Sequence, residues 1–319
     1  MNTAEDLRLR VESLRREAEG VISIELDDVE GRDLPGWEPG ANLQIRLPSG
    51  LIRQYSLYDS GRGGRGYRIA VKDVEGGRGG SKEVHRGLRV GDIVQAKAPT
   101  NAFRLSEAED YLFLAGGIGI TPILPMVRSM NGSDSWRLVY FGKSRHSMGL
   151  LREVEELPAE NVLLAPKDVA GRVDLQRLVS EAKPGTRIFA CGPAPVLDEL
   201  ERSVAARDDV FLHLERFSAP ASAKPQSSAE DQAFEVELQK SGKVLNIPPG
   251  SSILDEVLKV NPDAAYSCAE GFCGTCEVRV LAGEVDHRDS LLTEEEQKQN
   301  KTMMICVSRA AGSKLVLDL

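Results

Sequence analysis

The sequence lacks the features that mark several large classes of protein. It has no apolar run long enough to cross a membrane, and we expect no signal peptide because its first residues are neither basic nor apolar. Its net charge of -9 argues against nucleic acid as the main partner. Its 5 cysteines are too few for a disulfide scaffold in a chain of 319 residues. We therefore expect a cytoplasmic protein whose thiols stay reduced.

The chain has ordinary globular composition, 41% hydrophobic and 28% charged, and its length suggests two or three domains. In residues 1–103, short apolar runs alternate with Gly- and Asp-rich turns, which predicts an antiparallel β-barrel. Residues 104–217 alternate strand with helix, which predicts an α/β domain with a parallel sheet covered on both faces. Residues 218–232 are rich in Ser, Ala and Pro, which predicts a linker, and residues 233–319 form a last module.

Four cysteines of the last module carry the most specific signal in the chain. They have the C-x4-C-x2-C…C spacing of the ligands of plant-type [2Fe–2S] ferredoxins, which here are Cys268, Cys273, Cys276 and Cys306. Gly271 and Gly274 allow the loop between them to wrap closely around a cluster. Structural zinc is the alternative, because four thiolates also suit that metal. Zinc sites usually pair two C-x2-C knuckles and this chain has one, so the spacing favours iron–sulfur in an α+β ferredoxin (β-grasp) domain.

Two turns at the ends of predicted strands indicate a dinucleotide site. The glycines of the first turn allow a dinucleotide to approach the backbone near the N-terminus of the next helix. The second turn, residues 191–193, ends another strand of the same sheet, so the two turns frame one crevice. Each could instead be only a tight turn, and Cys191 could be only a small buried residue. The predicted NAD-binding residues are Gly116, Gly117, Ile118, Gly119, Thr121, Pro122, Cys191, Gly192 and Pro193.

Two weaker signals in the barrel region suit a flavin. Arg53 could clamp a phosphate, Ser56 could hydrogen-bond the edge of an isoalloxazine, and Tyr55 could flank the ring. The glycine-rich residues 76–81 lead into a short helical run, and their backbone N–H groups would suit a terminal phosphate. Taken alone, the strand could be a plain surface strand and the glycines a flexible loop.

Together, these motifs resemble those of the phthalate dioxygenase reductase family, the single-chain reductases of Rieske oxygenases, to which vanillate O-demethylase reductases are similar. The resemblance covers nearly the whole chain, in the order flavin barrel, NAD domain and C-terminal ferredoxin. It depends on the cysteine cluster and on residues 53–57, 69–72, 77–81, 116–122 and 191–193.

The resemblance implies which cofactors and partner the protein uses. It implies FMN rather than FAD, NADH as the electron donor, and a Rieske-type oxygenase component as the acceptor. It also implies an aromatic residue near the flavin at Phe217, and Arg216 stands where phthalate dioxygenase reductase has a serine. The FMN site that it implies consists of Arg53, Gln54, Tyr55, Ser56, Ala70, Val71, Lys72, Arg78, Gly79, Gly80, Ser81, Thr121 and Phe217.

The cofactors predict an electron-transfer oxidoreductase that acts on a separate protein. NADH delivers electrons in pairs whereas the cluster accepts one at a time, so the flavin must lie between them. The chain itself cannot be the oxygenase, because a Rieske centre needs two cysteines with two histidines and non-haem iron needs two histidines with a carboxylate. We interpret the scattered histidines as structural or surface residues, namely His85, His146, His213 and His287.

The charge of the last module and the nucleotide preference each allow two interpretations. Residues 233–319 carry 14 acidic and 9 basic side chains, a net charge of -5 that could steer docking or only solvate the surface. Lys143 and Arg145 follow a strand where a 2′-phosphate could bind, although the resemblance favours NADH. The alternative functions are a flavin-less carrier or redox sensor and a reductase of a diiron or cytochrome-type hydroxylase. The C-terminal position of the ferredoxin favours the Rieske partner.

Overall fold

The computed structural model describes residues 6–61, 64–77, 79–130, 132, 135–218, 231–262, 264–266 and 268–319. The chain divides into two compact units, Met1–Phe217 and Ser218–Leu319. Among the described helices, none has the length and apolar character that a membrane crossing requires. The predicted linker lies outside the described residues except for its first residue and its last two, and the predicted domain boundaries stay predictions.

The first unit begins with a closed barrel of six antiparallel strands. They are β1 (Asp6–Ala18), β2 (Val21–Asp28), β3 (Asn42–Arg46), β4 (Ile52–Asp59), β5 (Tyr67–Lys72) and β6 (Ile93–Lys97), in the spatial order β1-β2-β5-β4-β3-β6. Alternation explains the barrel core, since every second side chain at the start of β1, namely Leu7, Leu9 and Val11, is buried there. Helix α1 (Gly80–Arg86) packs on β5. The predicted antiparallel barrel is confirmed.

The rest of the first unit is a parallel sheet with helices on both faces, as predicted. Its strands are β7 (Asp110–Gly116), β8 (Ser135–Gly142), β9 (Val162–Pro166), β10 (Arg187–Gly192) and β11 (Phe211–Arg216), in the order β11-β10-β7-β8-β9. Its helices are α2 (Ile120–Arg128), α3 (Leu151–Glu155), α4 (Lys167–Ala170), α5 (Leu175–Ser180) and α6 (Ala194–Val204). Leu112 and Leu114 of β7 pack with α5 and α6, whereas Phe113 packs on the other face with α2.

The barrel and the parallel sheet share one of these apolar cores. Val21, Tyr58 and Ala70 of the barrel pack in the same cluster as Ile120 and Ile123 of α2. Consequently β4 lies against α2, and β5 lies beside the glycine-rich turn that precedes α2. The shared core therefore brings the strands that carry the predicted flavin motif to the carboxyl edge of the sheet.

The second unit contains a mixed five-stranded sheet in the order β13-β12-β18-β14-β16 and a two-stranded ribbon, β15–β17. Its strands are β12 (Phe234–Leu238), β13 (Lys243–Ile247), β14 (Glu277–Ala282), β15 (Val285–Asp286), β16 (Thr302–Met304), β17 (Arg309–Ala310) and β18 (Lys314–Leu317). Its helices are α7 (Ile253–Val260) and α8 (Glu294–Gln299). A capping box begins α7, since Asp255 N donates to Ser252 Oγ at 3.1 Å and Ser252 N donates to Asp255 Oδ2 at 3.0 Å.

Candidate functional site

The two glycine-rich turns of the parallel sheet meet at its carboxyl edge. One follows β7 and the other follows β10, and these two strands are paired in the sheet. A Cβ atom added to Gly119 would lie 2.2 Å from the carbonyl oxygen of Cys191, and one added to Gly116 would lie 2.7 Å from Cδ of Pro193. Only glycine fits at these two positions, so the turns border one crevice, which is the arrangement that the sequence predicted.

The other residues of the predicted NAD set border the same crevice. Gly117 has a φ of 57° and open space around its Cα, so its left-handed backbone favours glycine. Thr121 is buried, and its hydroxyl donates to the carbonyl oxygen of Ile118 at 3.0 Å, which ties the turn to the start of α2. Pro122 lies in the first turn of α2, where a missing N–H breaks no helical hydrogen bond. Gly192 lies against the first turn.

Strand β4 carries Arg53, Gln54, Tyr55 and Ser56 and packs against α2. The hydroxyl oxygens of Tyr55 and Ser56 are buried, and neither makes a hydrogen bond within the described part of the chain. Burial raises the pKa of Tyr55 above its ordinary range, so its hydroxyl stays protonated. Two buried hydroxyls without protein partners indicate a place for a polar ligand, because buried polar groups are normally paired.

Arg53 lies over the start of α1. A Cβ atom added to Gly80 would lie 2.5 Å from Nε of Arg53, so the side chain approaches the helix only because residue 80 is glycine. Gly79 precedes it with a φ of 86°, and Ser81 Oγ accepts a hydrogen bond from the Val74 backbone at 3.1 Å. A guanidinium and the backbone of residues 79–81 thus lie close together, which suits a phosphate group.

The remaining residues of the predicted FMN set lie on neighbouring elements. Ala70, Val71 and Lys72 belong to β5, which pairs with β4, and the first two of them are buried. Arg78 lies outside the described residues. Phe217 follows β11 at the carboxyl edge of the sheet and is 42% exposed.

Arg216, where phthalate dioxygenase reductase has a serine, is bound to α6. Its guanidinium lies 2.8 Å from the Asp198 carboxylate and 2.7 Å from the Glu201 carboxylate. The arginine therefore anchors the end of β11 to α6 instead of projecting into the crevice between the two turns.

Two residues of the crevice, Glu215 and Asn42, are absent from the set that the sequence predicted. Glu215 pairs with Cys191 across β10 and β11, and Asn42 Nδ2 donates to Glu215 Oε1 at 3.2 Å. Burial raises the pKa of Glu215 to about 8, and the Asn42 amide and the nearby Ser56 hydroxyl offset this only in part. Burial, with a smaller effect of Glu215, also raises the pKa of the Cys191 thiol, which therefore stays protonated.

A sequence signal for Glu215 existed. An acidic residue at the carboxyl end of a parallel strand, in register with the cysteine of a nucleotide turn, points into the region where ligands of such sheets bind. Its Oε2 and the Asn42 Oδ1 are buried and make no hydrogen bond within the described part of the chain. They add two polar atoms to the two hydroxyls of β4.

The four cysteines of the second unit converge. Cys268, Cys276 and Cys306 are buried and Cys273 is half-buried. Hydrogen bonds from Cys273 and Cys306 hold the pKa of Cys268 far below that of a free thiol, and a Cys306 hydrogen bond lowers the pKa of Cys276. Cys268 thus lies within hydrogen-bonding reach of Cys273 and Cys306, and Cys276 lies within reach of Cys306.

The loop that carries these cysteines suits a cluster. The backbone N–H of Glu270 donates to Cys268 Sγ at 3.3 Å, and that of Cys268 donates to Cys273 Sγ at 3.4 Å. Gly271 and Gly274 both have a φ of 75°, which confirms that the wrapping loop needs glycine. Four convergent thiols with N–H donors aimed at sulfur fit a [2Fe–2S] group, because such hydrogen bonds tune and stabilise its ligands.

The comparisons with known proteins agree with this geometry. The 2Fe-2S iron-sulfur cluster binding domain matches residues 236–311, which include all four cysteines. A toluene-4-sulfonate monooxygenase system reductase subunit of Comamonas testosteroni is 36% identical over 98% of this chain and 99% of its own length. The solved structure of phthalate dioxygenase reductase has a TM-score of 0.77 and 33% identity over 98% of each chain. The chain belongs to the phthalate dioxygenase reductase family.

Membership of this family confirms the predicted class of protein. The chain is an electron-transfer oxidoreductase of three parts, a flavin-type barrel, a nucleotide-type α/β domain and a ferredoxin domain. The match of the module that contains the four cysteines supports iron–sulfur over zinc. The solved structure is described as a modular structure for electron transfer from pyridine nucleotides to [2Fe–2S].

An intact type IV self-sufficient cytochrome P450 monooxygenase also contains a region similar to the whole chain. The similarity has a TM-score of 0.82 and 36% identity, and it covers 98% of this chain and 41% of the P450 chain. A reductase of this family is therefore also found in a single chain with a cytochrome P450. The position of the ferredoxin domain alone does not distinguish a Rieske oxygenase from a P450 as the partner.

Proposed function

We propose that this protein is a cytoplasmic reductase that takes a hydride from NADH onto FMN and delivers single electrons, through its [2Fe–2S] cluster, to a separate Rieske-type oxygenase component. The observation that carries this proposal is the meeting of two sites in the first unit. Strand β4, with its unpartnered buried hydroxyls, packs against α2, at whose start the two glycine turns form their crevice. A ring bound on the strand would face a nucleotide bound in the turns.

The barrel residues would hold and orient FMN. Arg53 and the backbone N–H groups of residues 79–81 bind the phosphate, with Arg78 as a further cation. Tyr55 flanks the ring, and the Ser56 hydroxyl donates to its polar edge. The rest of this set, Gln54, Ala70, Val71, Lys72, Thr121 and Phe217, lines the ring and its side chain.

The crevice would place the nicotinamide against the ring. The turns of residues 116–122 and 191–193 leave backbone exposed to the pyrophosphate. At the reacting end, the protonated Glu215 carboxyl offers a donor and Asn42 Oδ1 offers an acceptor to the carboxamide, beside the neutral Cys191 thiol. Uncharged groups at this end of the crevice suit hydride transfer, because the transfer requires no side chain to donate or accept a proton.

NADH is the preferred donor because Arg145, one of the two cations that follow β8, is already paired. Arg145 follows the carboxyl end of β8, and its Nη2 forms an ion pair with the Glu155 carboxylate. A 2′-phosphate would have to compete with that carboxylate and lie near its negative charge. The unphosphorylated ribose of NADH meets no such repulsion.

The flavin and the cluster, when bound, convert electron pairs into single electrons and relay them one at a time. The chain supports this by holding the cluster on four thiolates, of which Cys273 is the least buried. A flavin-less carrier or sensor does not require the arrangement of β4, the two glycine turns and Glu215. The reductase interpretation accounts for all three.

The proposal is tested by anaerobic titration with NADH, followed by absorption and by electron paramagnetic resonance. We expect the flavin and cluster bands both to bleach and the reduced cluster to give its signal. A flavin that is reduced while the cluster stays oxidised, or protein that binds FAD in place of FMN, would contradict the proposal. Reduction with NADH and with NADPH, run side by side, tests the donor.

A cytochrome P450 is the second candidate acceptor, because a P450 chain contains a region similar to this entire protein. The two candidates are separated by supplying purified Rieske oxygenase components and purified P450 proteins to the NADH-reduced protein. Turnover of the substrate of one class and not of the other assigns the partner. With either acceptor, the electrons would leave through the cluster that the same four thiolates bind.

A further inference from the structure

The second unit binds the end of the linker through two arginines. Asp231 accepts hydrogen bonds from Arg288 Nη1 at 3.1 Å and Nη2 at 2.8 Å, and its carboxylate lies 3.5 Å from Arg309 Nε. The Gln232 carbonyl oxygen accepts a further hydrogen bond from Arg309 Nη2 at 3.1 Å. The composition of this stretch predicted a linker, yet its last two residues are bonded to the folded module.

The arginine at the centre of this contact is deeply buried. The Arg309 side chain is 3% exposed and lies over the Phe234 ring, 4.9 Å from its centroid. It donates to the carbonyl oxygens of Ser251 and Pro248, which carry no net charge. A second acid, Asp286, is bonded to Arg288 at 2.7 Å. Without the Asp231 carboxylate, the two neighbouring guanidinium groups would lose the acid that faces both of them, and a buried charge that loses a partner is costly.

Both arginines lie in or next to the β15–β17 ribbon, close in sequence to segments that hold the cysteines. Arg288 follows β15, and Arg309 begins β17 three residues after Cys306. The two segments are joined by the β15–β17 pairing and by a hydrogen bond of 3.2 Å from Arg288 N to Ser308 Oγ. The chain just beyond β15 also holds the cysteine loop, since Ser290 N donates to the Gly271 carbonyl oxygen at 3.0 Å.

We infer that Asp231 is a positioning residue for the [2Fe–2S] cluster. Its carboxylate holds Arg288 and Arg309 together and so keeps the two strands of the ribbon paired. The segments next to the ribbon contain Cys306 and bind the loop of the other three cysteines. The end of the linker is therefore part of the structure that keeps the cluster in place. This inference depends on the cluster itself and not on which acceptor the protein serves.

The test compares full-length wild type with Asp231→Asn, loaded with cofactors. The readouts are the rate of iron release to a chelator, followed by cluster absorbance, and the paramagnetic resonance spectrum after reduction with dithionite. Release should be at least about tenfold faster, with a changed spectrum, because the neutral amide removes the negative charge that Arg288 and the buried Arg309 share. Release and spectrum equal to those of wild type would overturn the inference.

Glu237→Gln is the matched control. It removes a carboxylate from an ion pair of 2.8 Å with Lys314 on the sheet of the same module. Because this pair is exposed, iron release should change by less than about twofold. Equal acceleration in Glu237→Gln and Asp231→Asn would mean that general loss of stability explains the effect, and the inference would fail.

A second variant covers the case in which Asp231→Asn contains no iron at all. Asp231→Glu keeps the carboxylate and should retain iron that is released at a rate between those of wild type and the Asn variant. A complete absence of iron in the Glu variant would assign the loss to misfolding and overturn the inference. NADH-driven dye reduction, which does not need the cluster, reports whether the first unit is intact.

Discussion

Asn42 of the barrel and Glu215 of the parallel sheet are joined by a hydrogen bond of 3.2 Å, although 173 positions separate them in the sequence. The bond runs from Nδ2 to Oε1 and lies where β3 approaches the carboxyl end of β11. It places a buried carboxyl group beside Cys191 in the crevice that we assign to the nicotinamide. Because one residue comes from each half of the first unit, the contact exists only when both halves are folded together.

Glu215→Gln should remove a pH dependence from folding. Burial raises the pKa of Glu215 to about 8, so the native state binds more protons than the unfolded chain between its ordinary pKa and about 8. Wild type therefore loses stability as the pH rises through that window, and the glutamine variant does not. Between about pH 5 and about pH 9, the stability of the variant relative to wild type should increase by about 4 kcal/mol, or by about 8 °C or more in thermal midpoint.

The control for this measurement is Glu201→Gln, which changes an exposed carboxylate on α6. Its thermal midpoint, followed by circular dichroism, should differ from that of wild type by the same small amount at each pH. A difference between Glu215→Gln and wild type that stays constant from acid to alkaline pH would show that Glu215 ionises normally in the folded protein.

Most of the fold could be predicted because its signals are local. Alternating apolar residues mark the barrel strands, and the strand–turn–helix pattern at residues 112–122 marks the nucleotide turn. The approach of Gly119 to Cys191 follows from the rule that carboxyl ends of parallel strands share an edge. The arrangement was predictable at these sites because the motif and the strand that positions it are adjacent in the sequence.

The contacts that sequence reasoning missed are those made between distant segments. Nothing near Asn42 signals that its amide meets Glu215, since that depends on how the barrel packs against the sheet. Asp231 lies in a stretch whose composition is that of a linker, yet its carboxylate binds Arg288. A single charged residue contributes little to composition, and only the fold shows that its partner lies 57 positions away.

Arg53→Ala should weaken FMN retention. The guanidinium approaches the start of α1 over Gly80, where we place the phosphate. Charge-assisted hydrogen bonds are worth about 1.5–3 kcal/mol, so the FMN dissociation constant should rise about tenfold or more. Fluorescence of released flavin during dilution measures this constant.

Arg53→Lys and Arg46→Ala are the companion variants. Lysine keeps a charge but cannot make two parallel hydrogen bonds, so its dissociation constant should fall between those of wild type and alanine. Arg46 lies on β3 outside the motif and should bind FMN as wild type does. Unchanged flavin affinity in Arg53→Ala would remove this residue from the site.

Glu155→Gln should increase the use of NADPH. The substitution removes the carboxylate that pairs with Arg145 and leaves the guanidinium available to a 2′-phosphate. Exposed ion pairs contribute up to about 1 kcal/mol, so kcat/KM for NADPH should rise by about twofold to fivefold while that for NADH changes little.

Steady-state dye reduction with each nucleotide gives both values, and the adjacent Glu156→Gln is the control. An equal change for both nucleotides would show that Arg145 does not contact the ribose.

Cys273→Ser should separate the two activities of the protein. A serine hydroxyl replaces one of four thiolates, so the cluster is lost or altered and electrons no longer pass through it. Reduction of protein acceptors should fall by about tenfold to hundredfold or more, the range seen when a metal site loses a supporting group. NADH-driven reduction of small dyes should persist, because the dyes take electrons at the flavin site of the first unit.

Cys306→Ser, which changes a buried ligand, should give the same separation. Equal loss of dye and protein-acceptor reduction in both variants would place the cluster before the flavin and contradict the proposed order.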